Sequence, residues 1–495
     1  MKRILSIFFA ILAILVAMPN DIQAESANIN EEILYSITVD RYNNLDHERD
    51  KQVRLDDPMA YHGGDLKGII DKLDFFEELG YTTLVLSPIM ANAPDGYHGY
   101  WIEDFYSVEE QFGTMDDLHT LIKEAHKRNI KVVMELVTNY IADSHPIAQD
   151  TAKKDWVIEN KKPQTNWSKN TVKLNQNNPE VQAYLLNVAN YWMDETDIDG
   201  YKLHAADQAS SEFLNTLSKN IKAKDDDFYI LADILDPETD ITHLKENKLL
   251  DAIENYSLYN RMTEVFAEAG KPVSDIYGAW QQTDQASMIF VDNKSTERFT
   301  QTLAENGRNA LTTWSLALTY MYTIPGVPVL YQGSELPMYG SGLAEAQQMV
   351  KFNSGDPDLT EFHNRISSLR NKFPVLTHGD FEMVGSDGAM SVFKRSYQDE
   401  TMYIAINNDE HSRAVSISDL ESGKQLRGYL GDNTVRENDK GEYKIGLARE
   451  TAEVFAVEND TGYNWLFIGF IIGVFLLFII AVIILSRKQK QRKSK

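Results

Sequence analysis

Four short stretches hold the residues that could do chemistry. "DGYKLH" ends on His204, with Lys202 two residues before it, and "FYILAD" ends on Asp233. "FVDNKS" ends on Lys294 and Ser295, and "ELVTNY" opens on Glu135 and carries Asn139. In each, an apolar or β-branched run breaks into polar residues, so these groups stand where a strand passes into a loop. Asp233 offers a carboxyl group that can serve as acid or base. His204 offers a neutral or cationic imidazole, Ser295 an uncharged hydroxyl, and Lys202 and Lys294 bring cations to the same neighbourhood.

Such groups need a frame that gathers strand ends. Short apolar runs ("ILYSIT", "TTLVLS", "IKVVMELV", "DGYKL", "FYILAD", "SMIFVD", "VPVLY") alternate with segments such as "PEVQAYLLNVANYWMDE", whose apolar residues recur at three- and four-residue spacing. Seven or eight such units predict an α/β fold, a (β/α)8 TIM barrel over about residues 25–375, whose functional groups sit at the carboxyl ends of the strands. A polar stretch at about 141–176 interrupts the alternation after the third strand and predicts a short insert. Past "LRNKFPVL", strands with turn signals ("MSVFKRSY", "TMYIAINN", "AEVFAVE") predict an antiparallel β-sandwich domain at 376–457.

In this order the chain resembles glycoside hydrolase family 13, the α-amylase family, over roughly residues 30–457. "ILYSITVDRYNN" is similar to the family's first barrel strand, and "GYHGYWIEDFYSVEEQFG" to its second loop, with Tyr97 and His98 at the sugar-contacting positions. The family cleaves glycosidic bonds with a nucleophilic carboxylate, an acid/base carboxyl and a third assisting carboxylate. The resemblance places His204 at the nucleophile's position, Asp233 at that of the acid/base glutamate and Ser295 at that of the third carboxylate. Lys202 and Lys294 replace the neighbouring arginine and histidine, where they would meet substrate. Only Asp233 could still serve as acid or base, and nearby Asp207 and Asp292 do not restore a nucleophile without rebuilding a strand end. Calcium is the ion the resemblance implies, held partly by Asn139; Lys173 and Gln208 stand where further oxygen ligands belong, which argues against it. Trp156, Trp167 and Trp280 could stack on sugars or simply pack.

The compartment follows from composition. Residues 1–24 carry Lys2 and Arg3, an apolar run and a small residue at Ala24, the pattern of a secretory signal peptide. Residues 465–485 form an unbroken apolar run long enough to span a bilayer, and the tail 486–495 is basic, which predicts one span with the tail in the cytoplasm. The whole chain has 48 Lys and Arg against 74 Asp and Glu, which excludes nucleic acid as a natural partner. It has no cysteine, hence no disulfides, and the expected setting is the surface of a Gram-positive cell. The combined expectation is an anchored, extracytoplasmic protein that has lost catalysis and binds an α-glucan, an oligosaccharide or a membrane protein partner. The alternatives are an active α-glucan hydrolase or transglycosylase with a non-standard catalytic set, and an inert spacer.

Overall fold

The computed structural model describes residues 28–158, 167–283, 286–460, 462 and 465–493. The expected signal peptide lies outside them. Eight parallel strands close into a barrel: β1 (Leu34–Ile37), β2 (Thr83–Leu86), β3 (Lys131–Val137), β4 (Gly200–His204), β5 (Tyr229–Ala232), β6 (Ala252–Glu254), β7 (Ser287–Ile289) and β8 (Val327–Tyr331). β8 pairs with β1 and closes the ring. Alternation along each strand sends every second side chain inward. At the amino-terminal end those residues are apolar: Leu34, Val85, Val133, Leu231, Ala252, Met288 and Val327 pack as one buried floor around Tyr229. Gly200 is required there, since a Cβ on it would lie 2.8 Å from the Tyr229 Cβ and 3.1 Å from Val133.

The stretch after β3 folds as more than a polar loop. Tyr140–Ala142, Thr171–Leu174 and Val157–Ile158 form a three-stranded antiparallel sheet beside the strand ends. Beyond the barrel, a six-stranded antiparallel sheet packs on the pair Arg413–Ile417 and Tyr443–Leu447. Met390, Val392, Tyr403, Val415 and Ile445 fill the space between the two sheets, as a sandwich demands. The sandwich is keyed to the barrel. Trp280 meets Phe381 edge to face at 4.9 Å, and Asn408 Nδ2 donates to the carbonyls of Val265, Glu268 and Lys271. Trp280 is therefore a packing residue. The last described helix, Trp465–Lys493, carries an apolar stretch, Trp465–Ser486, that is long enough to cross a membrane and is not buried by the rest of the chain.

Candidate functional site

Two to four residues along each strand, the inward positions change character. Glu135 on β3 lies in register with Lys202 on β4, and Val137 with His204. Asp233 follows β5 directly, and Glu254 closes β6. Lys294 enters from the loop after β7. These six side chains meet over the apolar floor as three acids and three bases.

The contacts are close. Lys294 Nζ lies 2.5 Å from Glu135 Oε1 and 2.8 Å from Asp233 Oδ2. His204 Nδ1 lies 2.8 Å from the same Glu135 oxygen and 3.4 Å from Asp233. Lys202 Nζ lies 2.7 Å from Glu254 Oε1 and 3.8 Å from Asp233. Tyr100 donates its hydroxyl to Glu135 at 3.0 Å, and the backbone N–H of Ala205 donates to Asp233 Oδ1 at 2.7 Å. The imidazole of His204 joins an aromatic cluster, stacked on Tyr100 at 4.3 Å and tilted against Trp167 at 5.3 Å, with Tyr100 and Trp167 themselves 4.5 Å apart. Thus Trp167 covers the cluster rather than offering a free platform.

Burial makes the charges interdependent. His204 and Asp233 are each 2% exposed and Glu135 3%. Burial alone would raise the two carboxyls, yet Lys294 and then His204 overcome it, holding Glu135 at about 2 and Asp233 well below the ordinary carboxylate range. For His204 the balance runs the other way: burial would lower it, but Asp233 and Glu135 raise it above its usual value. Lys294 is likewise raised by Asp233 and Glu135 against its own burial. Glu254 differs, because burial outweighs Lys202 and leaves its carboxyl raised.

Not every residue expected at the site joins the cluster. Ser295 is exposed, and its backbone N–H donates to Asn293 Oδ1. Asp292 and Asp207 serve the backbone: Asp292 accepts from Ser334 Oγ and the N–H of Phe299, Asp207 from the N–H groups of Leu235 and Asp236. Trp156 lies away from the cluster and donates to Glu180. Tyr97 and His98 line a neighbouring wall with ring centroids 5.0 Å apart; the Arg41 guanidinium lies 4.0 Å over the Tyr97 ring. Burial, then Arg41 and His204, push His98 down to about 3, so it is neutral, and its Nδ1 accepts from the N–H of Tyr100.

The residues implied for calcium do not suit a hard cation. Asn139 Oδ1 accepts from Gln176 Nε2 at 2.7 Å, and Asn139 Nδ2 donates to the carbonyls of His204 and Ala205. Gln208 turns to Asp207, and Lys173 lies over the Tyr140 ring. An amide pair thus occupies the oxygen an ion would need. Glu135, His204 and Asp233 bring ligand atoms within 4.8 Å of one another, the spacing of a metal site, but the Lys294 ammonium already bridges its two carboxylates.

Glu254 and Tyr100 escape sequence reasoning. β6 has only three residues, too few for an alternation signal. Tyr100 is one aromatic among several in "GYHGYW".

A parallel barrel with titratable groups at its strand ends and a sandwich behind it defines the class of barrel glycosidases and their relatives. The comparisons narrow this. The model of the α-amylase catalytic domain matches residues 36–368, and that of the α-amylase C-terminal domain matches 379–455. The crystal structure of an Anoxybacillus α-amylase superposes with a TM-score of 0.83 at 39% identity, covering 88% of this chain and 100% of that one. That of an α-amylase from Geobacillus thermoleovorans, complexed with acarbose, gives 0.80 at 38% identity over the same shares. A cyclomaltodextrinase from Thermoanaerobacter pseudethanolicus is 28% identical over 427 residues, which are 80% of this chain and 73% of the relative. A beta/alpha-amylase from Paenibacillus polymyxa is 26% identical over 86% of this chain, which spans 38% of that longer protein. The chain belongs to the α-amylase family, glycoside hydrolase family 13.

Proposed function

We propose that this chain is a membrane-anchored, extracytoplasmic member of the family that no longer cleaves glycosides, and that the wall carrying Tyr97 and His98 binds an α-glucan or a membrane protein partner. The observation that supports loss of catalysis is the cluster itself. At the end of β4, where the family's mechanism needs an anion to attack the anomeric carbon, His204 presents an imidazole raised above its ordinary pKa by Glu135 and Asp233. A cation there opposes the positive charge of an oxocarbenium-like transition state. Asp233, the one remaining candidate acid, is held ionised by Lys294, His204 and Lys202, so it has no proton to give at neutral pH. These groups act as a unit, and changing any one does not recover the others. The apolar stretch Trp465–Ser486, followed by Arg487, Lys488, Lys490, Arg492, Lys493 and Lys495, supports an anchor with its tail inside.

One observation favours a second reading, an active hydrolase or transglycosylase with a non-standard set. Two carboxylates, Glu135 and Asp233, face each other across the Lys294 ammonium, so the site still holds a pair of carboxyl groups of the kind a retaining mechanism uses. Turnover of starch, maltodextrins and pullulan by the detergent-solubilised full chain, beside Asp233→Asn, decides between them. No turnover by either protein is expected. Activity present in the parent and lost in Asp233→Asn would establish the second reading.

A further inference from the structure

The Tyr97 wall is not open. The segment after β8 crosses it: Gln347 accepts from the Tyr97 hydroxyl at 3.3 Å through Oε1 and donates through Nε2 to the Lys294 carbonyl at 2.7 Å, while Met59 Sδ lies 4.0 Å from the same hydroxyl. One amide thereby joins the wall expected to meet a sugar with the loop that delivers the Lys294 ammonium to Glu135 and Asp233. An amide that accepts from a phenol and donates to a carbonyl makes the same pair of bonds as a sugar hydroxyl. Tyr97 is 5% exposed, with Arg41 on its face, His98 at its edge and Gln347 and Met59 at its hydroxyl.

The segment is pinned on either side of this residue. Arg298 Nε donates to the carbonyl of Ala346 at 2.8 Å, and the N–H of Val350 donates to the carbonyl of Arg41 at 3.1 Å. Ala346 and Val350 are buried, whereas residues 347–349 between them are only partly so. Beside the segment lies an open surface cleft of about 770 Å³, whose lining includes Gln348, Tyr339, Thr300, Arg308 and Leu311. The strap has fixed ends and, between them, the Gln347 amide as its bond to Tyr97.

We infer that Gln347 is an access-determining residue: its amide occupies the place of a ligand hydroxyl on Tyr97, and a sugar hydroxyl reaches the Tyr97 hydroxyl only by displacing it. This rests on the sugar-binding reading above, while the latch stands on its own geometry. A site open for only a fraction of the time binds more weakly by that fraction, so removing the latch strengthens apparent binding.

The test is Gln347→Ala in the detergent-solubilised full chain, read by hydrogen–deuterium exchange and by calorimetric titration with maltoheptaose. Exchange in peptides covering residues 97–101 should rise about tenfold without ligand, and the maltoheptaose Kd should fall by about the same factor. Gln347→Glu keeps an acceptor for Tyr97 but loses the donor to Lys294, so it should fall between the two. Unchanged exchange at 97–101 overturns the latch, as does an equal rise at Arg413–Ile417 in the sandwich, which would mark general loosening. Faster exchange at 97–101 alone, with no maltoheptaose bound by any variant, supports the latch and overturns the sugar-binding reading.

Discussion

The floor of the barrel and its mouth are built by the same strands, two to four residues apart, and they solve burial in opposite ways. At the floor, Val133, Leu231 and Met288 remove apolar surface from water and need no partner. At the mouth, Glu135, Lys202, His204, Asp233 and Glu254 are buried and Lys294 is mostly so, but each needs an opposite charge within a few ångströms. The floor is tolerant because packing is non-directional and shared among many neighbours. The mouth is all or none, and this supports reading it as a closed set of charges rather than a catalytic centre waiting for substrate.

Removing a single mouth cation should break that difference open most strongly. Lys294→Met leaves Glu135 and Asp233 facing each other with His204 and Lys202 as their remaining cations, and should cost about 3–5 kcal/mol in denaturant unfolding. Leu231→Ala in the floor should cost a comparable or smaller amount, about 2–5 kcal/mol, through the cavity it leaves. The discriminating feature is pH: the floor variant's cost should be the same at pH 5 and pH 8, whereas the mouth variant's should change. A Lys294→Met cost below about 1 kcal/mol would mean the cluster is not a unit.

The pH dependence of the parent sharpens the same contrast. Glu135 is lowered from 4.5 to about 2 and Asp233 is lowered from 3.8, so their contribution is complete above pH 4.5 and is lost as pH falls toward 2. His204 is raised from 6.5, so its contribution is complete below pH 6.5 and is lost as pH rises through its folded value. The contribution of these three groups should therefore decline on both sides of a window between about pH 4.5 and 6.5, on top of the separate slopes set by the lowered His98 and the raised Glu254. Thermal unfolding of His204→Asn across that range should show a weaker alkaline decline than the parent, while the acid decline persists in reduced form because Lys294 still holds Glu135 and Asp233 down. An unaltered alkaline limb would assign it elsewhere.

The smallest expected effect concerns the backbone between the two regions. Ala205, next after β4, has φ +50°, a left-handed conformation that costs a non-glycine residue roughly 1 kcal/mol. Its carbonyl is held there by Asn139 and its N–H by Asp233. Relief of roughly 1 kcal/mol of strain, less the about 0.4–1 kcal/mol of entropy glycine adds to the unfolded chain, leaves Ala205→Gly with a net gain of about 0–0.6 kcal/mol in denaturant unfolding. A loss would show that the Ala205 side chain does more than tolerate the turn.

The barrel was legible because seven of its strands carry apolar runs of recognisable length, and the sandwich because its strands alternate between turns. β6 was not, being three residues between polar neighbours, and with it Glu254 was missed. The long stretch after β3 read as polar because its three short strands pair with one another across gaps in sequence. Ser295 was placed at the site by motif order, yet one residue along a loop the backbone turns it outward and sends Lys294 in.

By itself the sequence determined the family, the order of the elements and the residue types at the strand ends, since these are carried by local runs and by motifs in fixed order. Only the tertiary structure decided that Lys294 and Glu135, 159 residues apart, share an ion pair, that Glu254 takes up Lys202, and that Gln347 accepts from the Tyr97 hydroxyl. The physical reason is range: hydrophobic periodicity acts between neighbours along the chain, whereas a buried charge is satisfied or not by whatever the fold brings within a few ångströms of it.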